Sequence, residues 1–246
     1  MEYEFYKCIE KQYFEEGKTI NTQYDNYGIF SNFSFSDIKA PSDYIYKNCL
    51  SSNFPIAFFW QILVCAKLNF YTPALQKALE YLYFNQNFEE EFMIKDLVSS
   101  CSNIGLKIKG NSLMKAFKDV LTMEEFPSAF INDASLLWEY IAEKVRETMD
   151  PELPKRMNSY FLFTNKTDAI EYIQKVPYKQ NMIITGAKIE QEDKLDFFDM
   201  SIWNELHKDD LFENVLDQYK RYWTSNTTDR KQTEVLFQGK LQLFSI

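Results

Sequence analysis

The sequence has few glycines and one histidine, and both shortages exclude whole classes of site. Only six of the 246 residues are glycine. Neither GxGxxG nor GxxxxGK[ST] occurs, so a glycine-rich phosphate-binding loop of those types is excluded. The one histidine is His207, which excludes a zinc site with two histidines. A Ser-His-Asp triad would depend on this single residue, which lies in a charged segment and is expected on the surface. We expect no metal.

The chain also lacks an excess of positive charge and a long apolar run. It has 27 Lys and Arg against 36 Asp and Glu, a net charge of −9. Nucleic acid and anionic membranes attract basic proteins, so bulk capture by either is not expected, although a local basic groove stays open. The most apolar run, 55–66, is too short to span a bilayer. No membrane partner is therefore predicted.

The four cysteines and the acidic start of the chain indicate a reducing compartment. No two cysteines form a CxxC pair, and we interpret them as free thiols. The opening MEYEFYKCIEKQYFEEG has acidic residues where a signal peptide needs positive charge and an apolar stretch. We expect a cytoplasmic protein.

Strand-like patterns lie towards both ends of the chain, and helical patterns lie between them. Residues 52–150 are predicted to form four or five helices. One of them should begin with Thr72 as its N-cap and Pro73 at its first position. An irregular loop is predicted at 20–51, and a solvated acidic turn is predicted at 190–199. Strands are predicted at 3–9, 157–163 and 181–189, and as two segments about Gly239 within 233–246. This order predicts an α+β fold.

A set of local patterns then resembles one enzyme superfamily. The segment KRMNSYFLFTNKTDAIEYI (155–173) has a basic pair, a serine, a Tyr-Phe strand, a polar turn and a helix. It resembles the second conserved segment of ADP-ribosyltransferases, notably the poly(ADP-ribose) polymerase branch. The longer run VRETMDPELPKRMNSYFLF (145–163) is similar to a bacterial branch of uncharacterised domains of that fold. FYKCI with Gly17, the strand at 181–189, and Tyr222-Trp223 followed by Glu234 match in the same order.

The resemblance implies a fold and a set of site residues. The fold would be a split β core, with 1–246 as a single domain and 52–150 as a helical insertion within it. Glu234 would be the catalytic carboxylate at the head of a late strand. The cofactor-binding residues would be Lys7, where relatives carry His or Arg, with Tyr6 as its alternative, and Arg156, Ser159 and Tyr160.

The implied function is mono-ADP-ribosylation of a macromolecule, protein or nucleic acid, with NAD+ as the substrate. Breaking the bond between nicotinamide and ribose builds positive charge on the sugar, which a fixed carboxylate stabilises. An aromatic ring gives nicotinamide a stacking surface. Neither a metal nor a histidine base is needed. A bacterial toxin or phage-defence effector of this kind would also have an inhibitory protein partner.

Less specific interpretations stay open for each of these residues. Glu234 could be a solvated strand-edge residue, and Tyr160 and Tyr222 could be core residues. Three basic doublets, at 155–156, 220–221 and 230–231, are either solvated charge or a phosphate-binding rim. At the level of the whole protein, the alternatives are a catalytically inactive binding module and a helical protein-interaction protein.

Overall fold

The structure is a computed structural model that describes residues 4–30, 35–123, 135–175, 179–225 and 231–246. The chain divides into two compact units. The first, here called the sheet unit, comprises Met1–Ser34, Ala142–Glu205 and Gln218–Ile246. The second, the helical unit, comprises Phe35–Ile141 and Leu206–Asp217. The helical unit therefore begins earlier in the sequence than the predicted insertion at 52–150.

The sheet unit is built around five strands: β1 (Phe5–Glu10), β2 (Thr19–Asn21), β5 (Tyr160–Phe163), β6 (Met182–Asp199) and β7 (Thr233–Ser245). Their order is β2-β7-β5-β1-β6, and β6 also pairs with β7. This extra pairing closes β1, β5, β7 and β6 into a small barrel-like sheet. All the pairings are antiparallel. The long strand β7 is common to three of them, because it pairs with β2, β5 and β6.

The two faces of the sheet pack against different side chains. Neighbouring residues in a strand point to opposite faces. The inner face carries one core cluster, formed by Phe5, Ile20, Tyr160, Leu162, Ala187, Val235, Phe237, Leu241 and Leu243. The outer face carries Cys8 and Phe163, which pack with Ala169 of the helix Lys166–Lys175. Burial of this apolar area is the main force that holds the sheet unit together.

The other elements of the sheet unit are short helices and helix ends. They are α1 (Tyr27–Phe30), α8 (Lys166–Lys175), and the 3-10 helices Lys11–Tyr13, Arg156–Asn158, Lys179–Asn181 and Met200–Glu205. The C-terminal parts of α7 (Ser135–Met149) and α9 (Phe212–Trp223) also belong to this unit. On α9, Tyr219, Tyr222 and Trp223 are buried, with the spacing of one helical face.

The helical unit contains α2 (Phe35–Ser52), α3 (Ile56–Leu68), α4 (Pro73–Asn85), α5 (Ile94–Leu97) and α6 (Gly110–Leu121), with a two-stranded sheet of β3 (Glu91–Met93) and β4 (Lys107–Lys109). The predicted start of α4 is confirmed: Pro73 is its first residue, and the Thr72 hydroxyl accepts a hydrogen bond from the Leu75 N–H. Leu75, Ala78 and Leu82 bury the inner face of this helix.

The predicted mixture of strands and helices is confirmed, but three local predictions are wrong. The interval 20–51 is not an irregular loop, because α2 occupies most of its second half. The acidic stretch 190–199 is not a turn: pairing with β7 continues along it, interrupted by two irregularities in register. The two segments about Gly239 form one strand. No helix in the described ranges is both long and apolar enough to cross a membrane.

Candidate functional site

Glu234 lies at the head of a strand, as its assigned role requires. It is the second residue of β7 and is buried, with 3% of its surface exposed. Its neighbour Val235 belongs to the inner core cluster, so the Glu234 side chain points to the outer face of the sheet. The interpretation of Glu234 as a solvated edge residue is therefore wrong.

The Glu234 carboxylate is held by two side chains that come from distant parts of the sequence. Arg156 forms a buried ion pair with it, through Nη1 and Oε2. The Tyr222 hydroxyl donates a hydrogen bond of 2.7 Å to the same oxygen. Taking two charges out of water is costly unless they meet in good geometry with further hydrogen bonds. The three groups supply that compensation to one another.

Three aromatic rings surround the Arg156 guanidinium. Its central carbon lies 4.2 Å from the centre of the Trp203 ring, 4.6 Å from that of Phe161 and 5.2 Å from that of Tyr222. We call Phe161, Trp203 and Tyr222 the aromatic cage. A planar, weakly hydrated cation is favoured against aromatic faces, and arginine fits such a place better than lysine does.

A second buried arginine fixes the segment that carries Arg156. The Arg146 guanidinium makes two hydrogen bonds of 2.8 Å to the two carboxylate oxygens of Glu143. It also donates to the carbonyl oxygens of Pro151 and Leu153, at 2.5 and 3.1 Å. Hydrogen bonding of the guanidinium to the Glu143 carboxylate raises the pKa of Arg146. Arg146 thereby ties the end of α7 to the loop before Arg156.

Asp199 fixes the two segments that carry Trp203 and Glu234. It accepts hydrogen bonds from the backbone N–H groups of Ser201, at 2.9 Å, and Gln232, at 3.3 Å. Burial raises the pKa of Asp199, but these hydrogen bonds outweigh it and lower the pKa below its usual value. The carboxylate joins the end of β6 to the residues just before β7. It therefore belongs to the framework of the site.

Four outer-face side chains form a row across neighbouring strands. Tyr6 of β1 pairs with Phe163 of β5, Phe163 pairs with Glu234, and Glu234 pairs with Phe198 of β6. Adjacent strands are about 4.8 Å apart, so Tyr6 lies roughly 10 Å from Glu234 along this row. Tyr6 thus shares a face with the candidate catalytic residue.

The structure places Lys7 and Tyr160 on the opposite, inner face. The Lys7 ammonium lies 4.3 Å from the centre of the Tyr160 ring and donates a 3.0 Å hydrogen bond to the Phe161 carbonyl oxygen. Burial lowers the pKa of Lys7, and the nearby Cys8 and Glu234 oppose it. Burial has the larger effect, so the resulting pKa is about 8. Tyr160 is a core residue with 2% of its surface exposed. The residues predicted from the sequence for the site are therefore divided between the outer and inner faces of the sheet.

Ser159 and the basic doublets also have defined places. The Ser159 hydroxyl donates to the Lys155 carbonyl oxygen at 2.8 Å and accepts from Gln238 Nε2 at 3.2 Å. It thus closes a local turn before β5. Arg156 is buried, so it does not form part of an exposed phosphate-binding rim. Arg221 is exposed and lies 3.9 Å from Glu205, and Arg230 falls outside the described residues.

Two of the cavities differ sharply in character. In the sheet unit, a cavity of about 580 Å³ is lined only by polar residues: Asn21, Thr22, Gln23, Asn26, Asn158, Gln191, Asp193, Gln238 and Lys240. In the helical unit, a groove of about 440 Å³ between α4 and α6 is lined mainly by apolar and aromatic side chains, among them Tyr83 and Phe84. Across the described part of the chain, no cluster of three His, Cys, Asp or Glu residues suits a metal ion.

None of the three residues of the aromatic cage was predicted as a site residue, and Phe161 was only part of the Tyr-Phe strand. Trp203 was not considered, because it lies in a short 3-10 helix with no sequence period. Tyr222 was noticed only as half of a Tyr-Trp pair, with core packing as the alternative. Its helical spacing from Phe212, Val215 and Tyr219, which form one apolar and buried face of α9, was the available signal.

The outer face of the sheet thus defines a class of site: a buried carboxylate–arginine pair inside an aromatic cage, in a mixed α/β protein. The chain belongs to the family described as "Protein of unknown function (DUF2441)", whose model matches residues 5–246. The matched range includes Glu234, Arg156 and the whole of β7. No curated protein matches the sequence.

Proposed function

We propose that the protein transfers ADP-ribose from NAD+ to a macromolecule, and that Glu234 stabilises the reacting ribose. The observation that carries this proposal is the position of Glu234: a buried carboxylate at the head of β7, enclosed by aromatic rings that already hold a planar cation. The ordered resemblance to ADP-ribosyltransferases supports it. As part of the same proposal, the barrel-like sheet corresponds to the split core of that superfamily.

The chemistry follows from the charge that develops during the reaction. The bond between ribose C1′ and the nicotinamide nitrogen breaks, and its electron pair goes to that nitrogen and neutralises the ring. C1′ then carries positive charge, which a carboxylate at close range stabilises. An acceptor group of the target attacks C1′ and loses a proton. A buried carboxylate is effective because few water molecules screen its charge.

The geometry also changes the residues assigned to the cofactor. Tyr6 takes the first-strand position in preference to Lys7, because Tyr6 shares the outer face with Glu234. Tyr222 and Trp203 replace Tyr160 as the aromatic surface beside the carboxylate. Lys7 and Tyr160 support the sheet from the inside. Ser159 orders the turn that leads into β5.

Transfer of radiolabel from NAD+ to a bacterial lysate, separated into protein and nucleic-acid fractions, tests the activity. The wild type should label one fraction. Glu234→Gln should lose about 100-fold or more of the rate, which corresponds to about 2.7 kcal/mol of barrier. The loss of rate should exceed the loss of NAD+ affinity. Glu192→Gln, an exposed carboxylate on β6, is the matched control and should keep full activity.

A second candidate is an inactive binding module with the same fold. It is favoured by the way Arg156 and Tyr222 both occupy the same oxygen of Glu234, as in a pair that serves only structure. This candidate predicts that the wild type neither labels a target nor hydrolyses NAD+. Full activity of Glu234→Gln would refute the assigned chemistry and leave the fold unaffected.

A further inference from the structure

The Arg156 side chain has the properties of a bound ligand. Its guanidinium is planar, singly charged and 78 residues away in sequence from the carboxylate that it meets. It is enclosed on several sides by the rings of Phe161, Trp203 and Tyr222. We propose that the aromatic cage is a binding site for a planar aromatic cation, and that Arg156 occupies it in the resting state and leaves when the ligand enters.

This inference rests on the proposed function, because the ligand cation would be the nicotinamide ring of NAD+. That ring is flat and positively charged while it is attached to ribose. Like guanidinium, it offers a face to aromatic rings and a charge to a carboxylate. A neutral ring of the same size would stack in the cage but would leave the Glu234 charge unpaired.

Exchange of one cation for another keeps the energetic cost low. Removing the partner of a buried charge destabilises a protein strongly, by about 3–5 kcal/mol. If the ligand cation enters as Arg156 leaves, Glu234 has a counter-ion at the start and at the end. Arg156 has a long side chain with several rotatable bonds, and it lies in a one-turn 3-10 helix, Arg156–Asn158.

Trp203 supplies a second, independent observation. Its indole Nε1 is buried, and among the described residues it has no hydrogen-bond partner. Buried N–H groups without partners are rare and costly in folded proteins. A guanidinium cannot satisfy this group, because it has only donors. A ligand that joins a planar cation to a carbonyl oxygen, as nicotinamide does, carries the kind of acceptor that this N–H lacks.

Arg156 would then control the site in addition to shaping it. In the resting state it covers the carboxylate, so Glu234 cannot act on other molecules. Ligand entry releases the carboxylate for the developing charge on ribose. Nicotinamide becomes neutral when it leaves, so its attraction to Glu234 falls and Arg156 returns. The cage therefore favours substrate over product.

The test uses small cations, so that it does not depend on turnover. Arg156→Ala empties the cage, and guanidinium, N1-methylnicotinamide and neutral nicotinamide are titrated against thermal stability and tryptophan fluorescence. We expect the two cations to raise the melting temperature of Arg156→Ala by several degrees. N1-methylnicotinamide should bind this variant at least tenfold more tightly than it binds the wild type, and neutral nicotinamide should bind weakly to both.

The controls separate the cage from other effects. Arg221→Ala removes an exposed arginine and should leave N1-methylnicotinamide binding at the wild-type level. Trp203→Phe, added to Arg156→Ala, should remove the fluorescence change. If Arg156→Ala does not fold, Arg156→Lys serves instead, because lysine keeps the charge but is a poorer competitor for the rings. It should also bind the probe more tightly than the wild type does.

The inference would be overturned if guanidinium raised the melting temperature of Arg156→Ala while N1-methylnicotinamide bound to neither variant. The cage would then fit only its own arginine. Equal binding of the charged and neutral nicotinamide probes would overturn it too. NAD+ turnover is measured separately. A protein that binds the cation probe but has no turnover would contradict the proposed function and leave the cation site in place.

Discussion

The ammonium group of Lys7 and the ring of Tyr160 lie 4.3 Å apart on the inner face of the sheet. Lys7 also donates to the Phe161 carbonyl oxygen, on the same strand as Tyr160. A cation at this place is only partly compensated, because burial lowers its pKa to about 8. The interior of the sheet thus holds a charge that titrates near physiological pH.

Replacing Lys7 by methionine should make the pH dependence of stability flatter. A lysine whose pKa is lower in the folded protein than in the unfolded chain reduces stability below pH 8, and this cost disappears as the pH rises towards 10.5. From pH 7 to pH 10, the wild type should therefore gain about 2 kcal/mol relative to Lys7→Met. Urea unfolding of both proteins across this range measures the difference. A constant difference would show that Lys7 is not desolvated.

The Arg156–Glu234 pair should show strong coupling in a double-mutant cycle. Arg156→Met and Glu234→Gln should each lower the free energy of unfolding by about 3 kcal/mol, because each leaves one buried charge unpaired. The double variant should be less destabilised than the sum, by about 1–3 kcal/mol. The exposed pair Lys107–Glu91 gives the matched cycle and should show a coupling below about 1 kcal/mol. If the effects of Arg156→Met and Glu234→Gln on the free energy of unfolding were additive, the buried pair would be contradicted.

Tyr160→Ala should destabilise the protein without a specific effect on NAD+. Removal of a large core side chain costs about 3–5 kcal/mol. Tyr160 faces the inner core, so NAD+ affinity, measured by titration below the unfolding temperature, should stay at the wild-type value. Tyr83→Ala, which truncates a ring with 70% of its surface exposed, should cost less than about 0.5 kcal/mol. Weaker NAD+ binding with normal stability would restore Tyr160 to the cofactor site.

Gly239→Ala should be among the most damaging small substitutions in the sheet. Gly239 has a φ of +141°, and a Cβ there would lie 2.1 Å from the Gln191 carbonyl oxygen. We expect a loss on the order of 3 kcal/mol from strain and displacement together. Gly105→Ala is the matched control, because no atom lies within 4 Å of the added Cβ. It should change stability by at most about 0.5 kcal/mol. Chemical denaturation of the two variants compares them directly.

Local signals in the sequence were sufficient for several elements. The Thr72-Pro73 start of α4 was predicted because capping depends on adjacent residues, and β5 was predicted from a compact aromatic run. The acidic half of β6 was not, because its strand form depends on pairing with β7, about 40 residues later. Helix α2 was missed because its polar composition hides its buried residues, such as Ile38 and Ile45.

Two members of the candidate site, Glu234 and Arg156, were predicted from the sequence, but the aromatic cage and the geometry were not. The ordered motifs predicted Glu234 at the head of a strand and included Arg156. The face on which each side chain lies depends on strand register, and a shift of one residue changes it. Lys7 and Tyr6 therefore could not be separated from sequence. The partnership of Arg156 with Glu234 joins residues from two segments, and no local pattern encodes it.

The position of β7 has a consequence for how the chain reaches its folded form. This strand pairs with β2, β5 and β6, and Thr19 meets Gln242 across 223 residues. Contacts between such distant residues carry a large loop-closure entropy and slow the search for the native topology. During synthesis, β1, β2, β5 and β6 emerge before the strand that three of them share. The sheet can therefore close only after β7 has left the ribosome, and Glu234 acquires its environment in the same late step.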